Sequence, residues 1–290
     1  MKTNPAGKSE TALITGASSG IGLALAREFA RHGHSVVIVA PVKSELEDIA
    51  RRLSAEFGVN VHPIAKDLSV ENAADEIFDD LINSGIAIDI LVNNAGLGQR
   101  GNFWETPLDR DIEIIRVNAE APIRLTKRFL PTMISRKRGR ILNTASIAGF
   151  QPGPLLAVYH ASKAFVLSWS EALATELKDR DTGVSLTTLC PGPVDTDFFP
   201  KADMMDTNVF QKGSVMGPQE VAEAAYEALM KGERIIVPGA MNKAMVVGRR
   251  MMPISTQAKM NEKMYEDADL DERKRERGDI EAKEAAERKE

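Results

Sequence analysis

One cysteine, Cys190, occurs in 290 residues, which excludes an internal disulfide framework. It closes the apolar run SLTTLC before Pro191, where a small buried hydrophobe is expected rather than a reactive thiol. The cysteine and the 4 histidines fall at no metal-ligand spacing, so no metal is expected. Basic residues are not in excess: 37 Lys and Arg stand against 42 Asp and Glu, a net charge of -5. A nucleic-acid partner, which asks for a basic face, is therefore not expected. No apolar run reaches the roughly 20 residues that span a bilayer, so no integral membrane segment is expected. The polar N-terminus MKTNPAGKSE lacks the apolar core of a secretory signal. These absences predict a cytoplasmic protein.

What is present is a rhythm. Short runs rich in Val, Ile and Leu alternate with amphipathic stretches. The strand candidates are 11–15, 35–39, 59–64, 89–92, 139–144, 184–189 and 234–237. Their near-continuous apolarity suits a parallel sheet covered on both faces. Between them, helices are expected over 22–32, 43–57, 73–84, 112–136, 159–178 and 218–231. Repeated β-α units predict an α/β fold, a doubly wound parallel sheet with right-handed crossovers. Residues 1–240 are read as one domain and 241–265 as a C-terminal helical extension interrupted at Pro253. Residues 266–290, nearly all charged, Ala or Gly, are read as a solvated or disordered tail. The connection 201–217 has the length of a lid or binding loop.

The first strand runs into Thr15-Gly16-Ala17-Ser18-Ser19-Gly20-Ile21-Gly22, and a helix follows at once. A glycine cluster alone could be a plain turn. Between a first strand and a helix, it is where a dinucleotide site is built. Gly16 can take the tight turn, while Gly20 and Gly22 let backbone approach pyrophosphate. Ser18, Ser19 and Ile21 belong to the same cradle, and the helix N-terminus offers free N–H groups to the phosphates. At the end of the second strand stands Val39-Ala40-Pro41-Val42-Lys43, with neither the carboxylate that binds the 2′-hydroxyl of NAD nor an Arg for a 2′-phosphate. With no carboxylate to repel phosphate, and with Lys43 near, NADP(H) is favoured and NAD(H) is the alternative.

Asn93-Asn94-Ala95-Gly96, Ser146, Tyr159-His160-Ala161-Ser162-Lys163 and Pro191-Gly192-Pro193-Val194-Asp195-Thr196 follow that glycine turn. In order and spacing the set resembles the short-chain dehydrogenase/reductase family, over roughly residues 9 to 240. The resemblance implies a Rossmann-like, three-layer α/β/α fold with about seven parallel strands, assembled as a homodimer or homotetramer. It implies that Asp67 and Leu68 contact the adenine, and that Asn94, Ala95 and Gly96 line the cofactor. Val194 and Thr196 would touch the nicotinamide end, and Pro191 and Gly192 would also bind the cofactor. Pro41 departs from the pattern, since many NADP-using relatives carry Arg there.

Reducing a carbonyl takes a hydride from the nicotinamide and a proton for the developing alkoxide. A free tyrosine, with a pKa of about 10, is a poor base at neutral pH, and a neighbouring ammonium lowers that value. Tyr159 and Lys163 are four apart at a helix start and share a face. Such a pair is common and carries little alone; with the other motifs it reads as acid/base and tuning cation. The resemblance implies that Lys163 also holds the nicotinamide ribose. Ser146, at a strand end, can donate to the substrate oxygen. The resemblance gives Asn118 a helix-disturbing place and a water linked to Lys163. His160 points to another face and is read as structural.

The expected substrate is a small-molecule carbonyl or alcohol, an apolar ketone or aldehyde, with Leu97, Phe103, Phe150, Leu155, Phe198 and Phe199 as candidate pocket residues. Residues 241–264 are expected to dock over the pocket or on a partner subunit. Contact with a membrane surface through Lys243, Arg249 and Arg250 is a second reading. A nucleotide-sensing protein that binds without catalysis is the rival class, and the presence of both Tyr159 and Lys163 argues against it.

Overall fold

The computed structural model describes residues 10–249 and 251–287, so Arg250 and the polar N-terminal stretch lie outside it. Seven strands, β1 (Thr11–Thr15), β2 (Ser35–Ala40), β3 (Val61–Ala65), β4 (Ile90–Asn93), β5 (Gly139–Thr144), β6 (Val184–Leu189) and β7 (Ile235–Ile236), form one sheet in the order β3-β2-β1-β4-β5-β6-β7. Every pairing is parallel. Pro63, which cannot donate to a ladder, sits in the edge strand β3.

Alternate residues of β1 feed two cores. Ile14 packs on one face with Leu25 and Phe29 of α1 (Gly20–Arg31), Leu46 of α2 (Lys43–Phe57) and Val221 of the later helix Pro218–Lys231. Leu13 packs on the other with Ile77 of α3 (Ala73–Asn83), and the same core takes Leu125, Phe129 and Leu177 from later helices. Both faces are thus covered, which is why the strand runs lack polar alternation. A fully buried side chain such as Phe29 contributes about 1.5–3 kcal/mol.

The helix expected over 112–136 is divided. α4 (Leu108–Ile115) passes through a π turn, Arg116–Glu120, into α5 (Ala121–Ser135). Asn118 lies in that wider turn, and such turns recur at functional sites. After α6 (Ala157–Asp179), the connection 201–217 is not a bare loop: α7 (Phe198–Lys201) and α8 (Asn208–Gln211) leave and cross it before α9 (Pro218–Lys231). The extension is two helices, α10 (Ala240–Arg249) and α11 (Ile254–Tyr265), with Pro253 just before the second. Buried Arg249 bonds Gln151 and Asn261, and Asn261 donates to the Pro152 carbonyl at 2.6 Å, pinning this pair of helices to the body.

The tail differs from a free solvated segment. Its described residues are largely exposed, as the composition requires, yet they include α12 (Asp279–Glu287) and are tied down through charge. Arg273 pairs with Asp206 at 2.9 Å, and Arg277 pairs with Asp195 at 3.3 Å and Asp197 at 3.1 Å. Composition marks such residues as unable to build a core; it does not say which of them find partners.

Candidate active site

The strand order reverses between β1 and β4, and ligands of open α/β sheets lie at the strand carboxyl ends beside such a point. Thr15 closes the seam. Its hydroxyl reaches the Val92 carbonyl at 3.4 Å and accepts from the amides of Asn94 and Ala95, each at 3.0 Å. Above the seam opens a cavity of about 330 Å³, within the range of small-molecule sites.

One end of the cavity is main chain. Gly16 (φ 66°) and Gly20 (φ 54°) take left-handed turns. Gly22 packs so tightly that an added Cβ would lie 2.0 Å from the Gly16 carbonyl oxygen. Ser18, Ser19 and Ile21 line the same wall. At the start of α1, Ser19 makes no side-chain capping bond and the first turn carries no acidic residue. Free amides and a dipole without a competing carboxylate fit an anionic phosphate. Asp67 and Leu68 lie further along, Asn94, Ala95 and Gly96 across the cleft, and Pro191, Gly192, Val194 and Thr196 opposite. The residues present therefore fit a dinucleotide.

Lys43 does not reach this cavity. Its ammonium stands 3.8 Å from Glu47 on the exposed side of α2. Lys66 does line it, placed beside Pro41 because Ala65 pairs with Ala40 across β2 and β3. Glu76, 2.6 Å away, raises the Lys66 pKa and keeps it charged. The available signal was its position, one residue past the strand next to β2.

At the middle of the cavity meet Ser146, Tyr159 and Lys163. Ser146 follows β5; its hydroxyl donates to the Pro191 carbonyl at 3.3 Å and accepts from the Ala148 amide at 3.1 Å. Tyr159 and Lys163 rise from the first turns of α6. The Lys163 ammonium donates to the Thr144 carbonyl at 2.8 Å and lies 5.8 Å from the Tyr159 ring centroid. Burial dominates both groups. It pushes the Tyr159 phenol up to about 12, with a hydrogen bond to Ser146 acting the other way. It pulls Lys163 down to about 8, so at neutral pH the ammonium is still mostly charged. The expected lowering of the phenol by Lys163 thus meets a larger opposing effect of desolvation.

Of the residues expected to be catalytic or to form the Thr15–Gly22, Asn94–Gly96 and Pro191–Thr196 site, Asn118 does not line the cavity. It is buried behind Leu97, accepting from the Leu97 amide at 2.8 Å while donating to the Leu97 carbonyl and to the Ser162 hydroxyl, both at 2.9 Å. Both amide hydrogens are spent, so its side chain clamps Leu97. Gly96 fills the space between: a Cβ there would stand 3.3 Å from the Lys163 nitrogen and 3.6 Å from Asn118 Oδ1.

The other end of the cavity is side chain. Leu97, Phe198 and Phe199 line it as expected, joined by Leu156, Met204, Val209, Met264 and Tyr265. Phe103 instead is 65% exposed, Phe150 packs near Cys190, and Leu155, in a left-handed conformation (φ 65°), packs against the wall's residues without lining the cavity. Cys190 is fully buried, and burial holds its thiol protonated, with a pKa raised to about 12. His160 is placed by hydrogen bonds: Nδ1 lies 2.8 Å from the Gln151 carbonyl and Nε2 2.8 Å from the Tyr265 hydroxyl. A carbonyl can only accept, so Nδ1 carries the proton and Nε2 accepts from Tyr265. Burial lowers the His160 pKa, in keeping with a neutral ring.

Residues 10–207 match the family model for short chain dehydrogenase. The chain belongs to the short-chain dehydrogenase family. It is 40% identical over 171 residues to a very-long-chain 3-oxoacyl-CoA reductase of Pyrenophora tritici-repentis, which takes in 58% of this chain and 50% of that one. The chain therefore spans about half the length of that relative. Among solved structures, a short-chain dehydrogenase from Sphingobium yanoikuyae in complex with NADPH is similar, with TM-score 0.74 and 33% identity, covering 83% of this chain and 93% of that one. So is the bulky-bulky ketone specific alcohol dehydrogenase from Comamonas testosteroni, with TM-score 0.70 and 32% identity, covering 83% and 92%. Among the described residues, no cluster that could hold a metal occurs and no helix is long and apolar enough to cross a membrane.

Proposed function

We propose that this short-chain dehydrogenase interconverts a bulky apolar ketone and its secondary alcohol, with NADP(H) preferred over NAD(H). The observation that carries the reading is one continuous cavity. It has the glycine turn at one end, Ser146, Tyr159 and Lys163 in the middle, and an apolar wall at the other end. The nicotinamide cofactor, when bound, supplies the hydride. The chain's own residues do the rest. Ser146 holds the substrate oxygen and stabilises charge as it develops there. Tyr159 gives that oxygen its proton, or takes it in the reverse direction. Lys163 sits beside the phenol as a cation in a site of low dielectric and offsets the desolvation that raises the phenol pKa. Asn118 acts as a positioning residue through Leu97.

The wall offers Phe198, Phe199, Met204 and Met264 and few charges, which supports a bulky apolar substrate. That choice agrees with the names of the relatives above, a long-chain 3-oxoacyl reductase and a bulky-ketone dehydrogenase. The preference for NADP(H) now rests on Lys66 rather than Lys43. A homodimer or homotetramer is supported by the packed helices α4 and α6, whose Ile112, Ile115 and Phe165 remain exposed. The buried free thiol of Cys190 suits the cytoplasm.

Titration with NADPH and NADH, followed by an absorbance screen over carbonyl substrates, tests the reading. NADPH should bind more tightly, and bulky ketones should turn over. Turnover confined to small charged acids would overturn the substrate class, and failure to bind either nucleotide would overturn the activity.

A further inference from the structure

Asp195 stands inside the Pro191–Thr196 loop, between two residues that line the cavity, yet it has no place in the chemistry above. Its side chain is fully buried. The hydrogen-bond partners of its carboxylate, among the described residues, all come from the charged tail. The Gly278 amide lies 3.0 Å from both oxygens, the Ile280 amide 3.0 Å and the Glu281 amide 3.3 Å from one of them. The Arg277 guanidinium adds a contact at 3.3 Å and reaches on to Asp197 at 3.1 Å. The carboxylate therefore sits at the N-terminus of α12, where free N–H groups and the helix dipole stabilise it. The favour is returned at α9: Glu284 of α12 accepts from the Glu220 amide at 2.6 Å. Gly217, just before α9, comes so near that a Cβ would lie 1.9 Å from the Glu284 carboxylate. The tail helix thus takes its cap from the Pro191–Thr196 loop, through Asp195, and supplies one to α9, through Glu284.

We propose that the tail from Arg277 to Glu287 is a positioning element of the nucleotide site, and that Asp195 and Arg277 couple its docking to cofactor binding. The inference rests on the reading of Pro191–Thr196 as cofactor-binding. Val194 and Thr196 flank Asp195 and line the cavity. The Thr196 methyl packs on the glycine turn, at 2.8 Å from where a Gly20 Cβ would be. Main-chain bonds from Met216 to Pro193 and from Asp195 to Met216 fix the loop from one side, and the tail fixes it from the other. If the tail lifts, Asp195 loses its donors and must turn to water, drawing its neighbours out of line. A docked tail has already met the ordering cost of the loop, so the cofactor binds a prepared site. By reciprocity, the bound cofactor must hold the tail more firmly.

The test uses the full chain. Arg277→Met should raise the Kd for NADPH about fivefold or more, the lower range of coupling between sites, and Asp195→Asn should raise it further. In the unaltered protein, saturating NADPH should slow hydrogen exchange at the amides of 278–281, which lie outside the cavity. Unchanged affinity in Arg277→Met, or exchange in the tail indifferent to NADPH, overturns the coupling while leaving the activity intact. An unaltered chain that binds neither NADPH nor NADH overturns the site reading and the coupling with it. If Asp195→Asn fails to fold, Arg277→Met and the exchange measurement decide.

Discussion

The two ends of the cavity are built of different material. At the nucleotide end, the surface is backbone: Gly16, Gly20 and Gly22 bring main chain to the cleft, and an added methyl at Gly22 would meet a carbonyl oxygen at 2.0 Å. At the substrate end, the surface is side chain, contributed by Leu97, Leu156, Phe198, Met204 and Met264 from segments that no short motif joins. A backbone surface has one solution and cannot be trimmed or enlarged without moving the chain. A side-chain surface can be exchanged residue by residue while the fold stands. Such a molecule holds one cofactor chemistry fixed and leaves its substrate open to change.

The junction between the ends gives the largest expected effect. Tyr159→Phe removes one hydroxyl and leaves both walls in place. Turnover of the best ketone from the screen should fall by about 10²- to 10⁴-fold, the usual contribution of a positioned acid/base, while NADPH affinity is kept. Full activity in that variant would remove Tyr159 from the mechanism. The next effect separates the ends by stability. Gly22→Ala should cost about 1–3 kcal/mol through overpacking and should weaken nucleotide binding with it. Gly248→Ala in α10, with open space around the position, should gain about 0.5–1 kcal/mol from the better helix former. Urea unfolding of both variants checks the contrast; equal effects would mean that the glycine turn is no tighter than a surface helix.

At the substrate end, Tyr265→Phe leaves the His160 Nε2 acceptor unpartnered in a buried place, at a cost of about 1–3 kcal/mol. Because Tyr265 lines the apolar wall and not the nucleotide cradle, KM for a bulky ketone should shift while NADPH affinity holds. Steady-state kinetics beside a nucleotide titration reads this; a matched loss in both would show that the two ends are not independent.

The same division decides what could be read in the sequence. The seven strands and the glycine turn are local: a run of Val, Ile and Leu, or a Gly that must take positive φ, carries its own signal. Ser146, Tyr159 and Lys163 are brought together by the register of β5 and the start of α6, and their motifs mark them. The wall gives no such signal. Phe103 and Phe150 lie in the right loops, but periodicity does not fix which way a loop side chain turns, and both point elsewhere. Leu156, one residue past a left-handed Leu155, takes the place in the wall. Lys43 was nearer to β2 in sequence, yet Lys66 is nearer in space, because β3 pairs with β2. The tail shows the limit of composition: a carboxylate that caps a helix and one that only meets water are the same letter.

The smallest expected effect compares a buried histidine from each half. His34, just ahead of β2 and away from the cavity, meets the Tyr226 hydroxyl at 2.9 Å, and His160 meets that of Tyr265 at 2.8 Å on the substrate side. Burial lowers the pKa of both below the ordinary 6.5. The folded protein therefore holds both rings neutral, while the unfolded chain protonates them near 6.5. Between that value and the lowered native one, the unfolded state binds more protons, so stability rises with pH across this window and is lost as pH falls through it. Above it the two rings contribute no slope. At His34 the Glu10 carboxylate opposes burial; at His160 hydrogen bonds with the Gln151 and Ala148 backbone oppose it, and Arg249 adds to it. The fall in Tm between pH 7 and pH 5 should accordingly be flattened by His160→Gln and by His34→Gln alike. A slope left unchanged in either variant would mean that the fold does not hold that ring neutral.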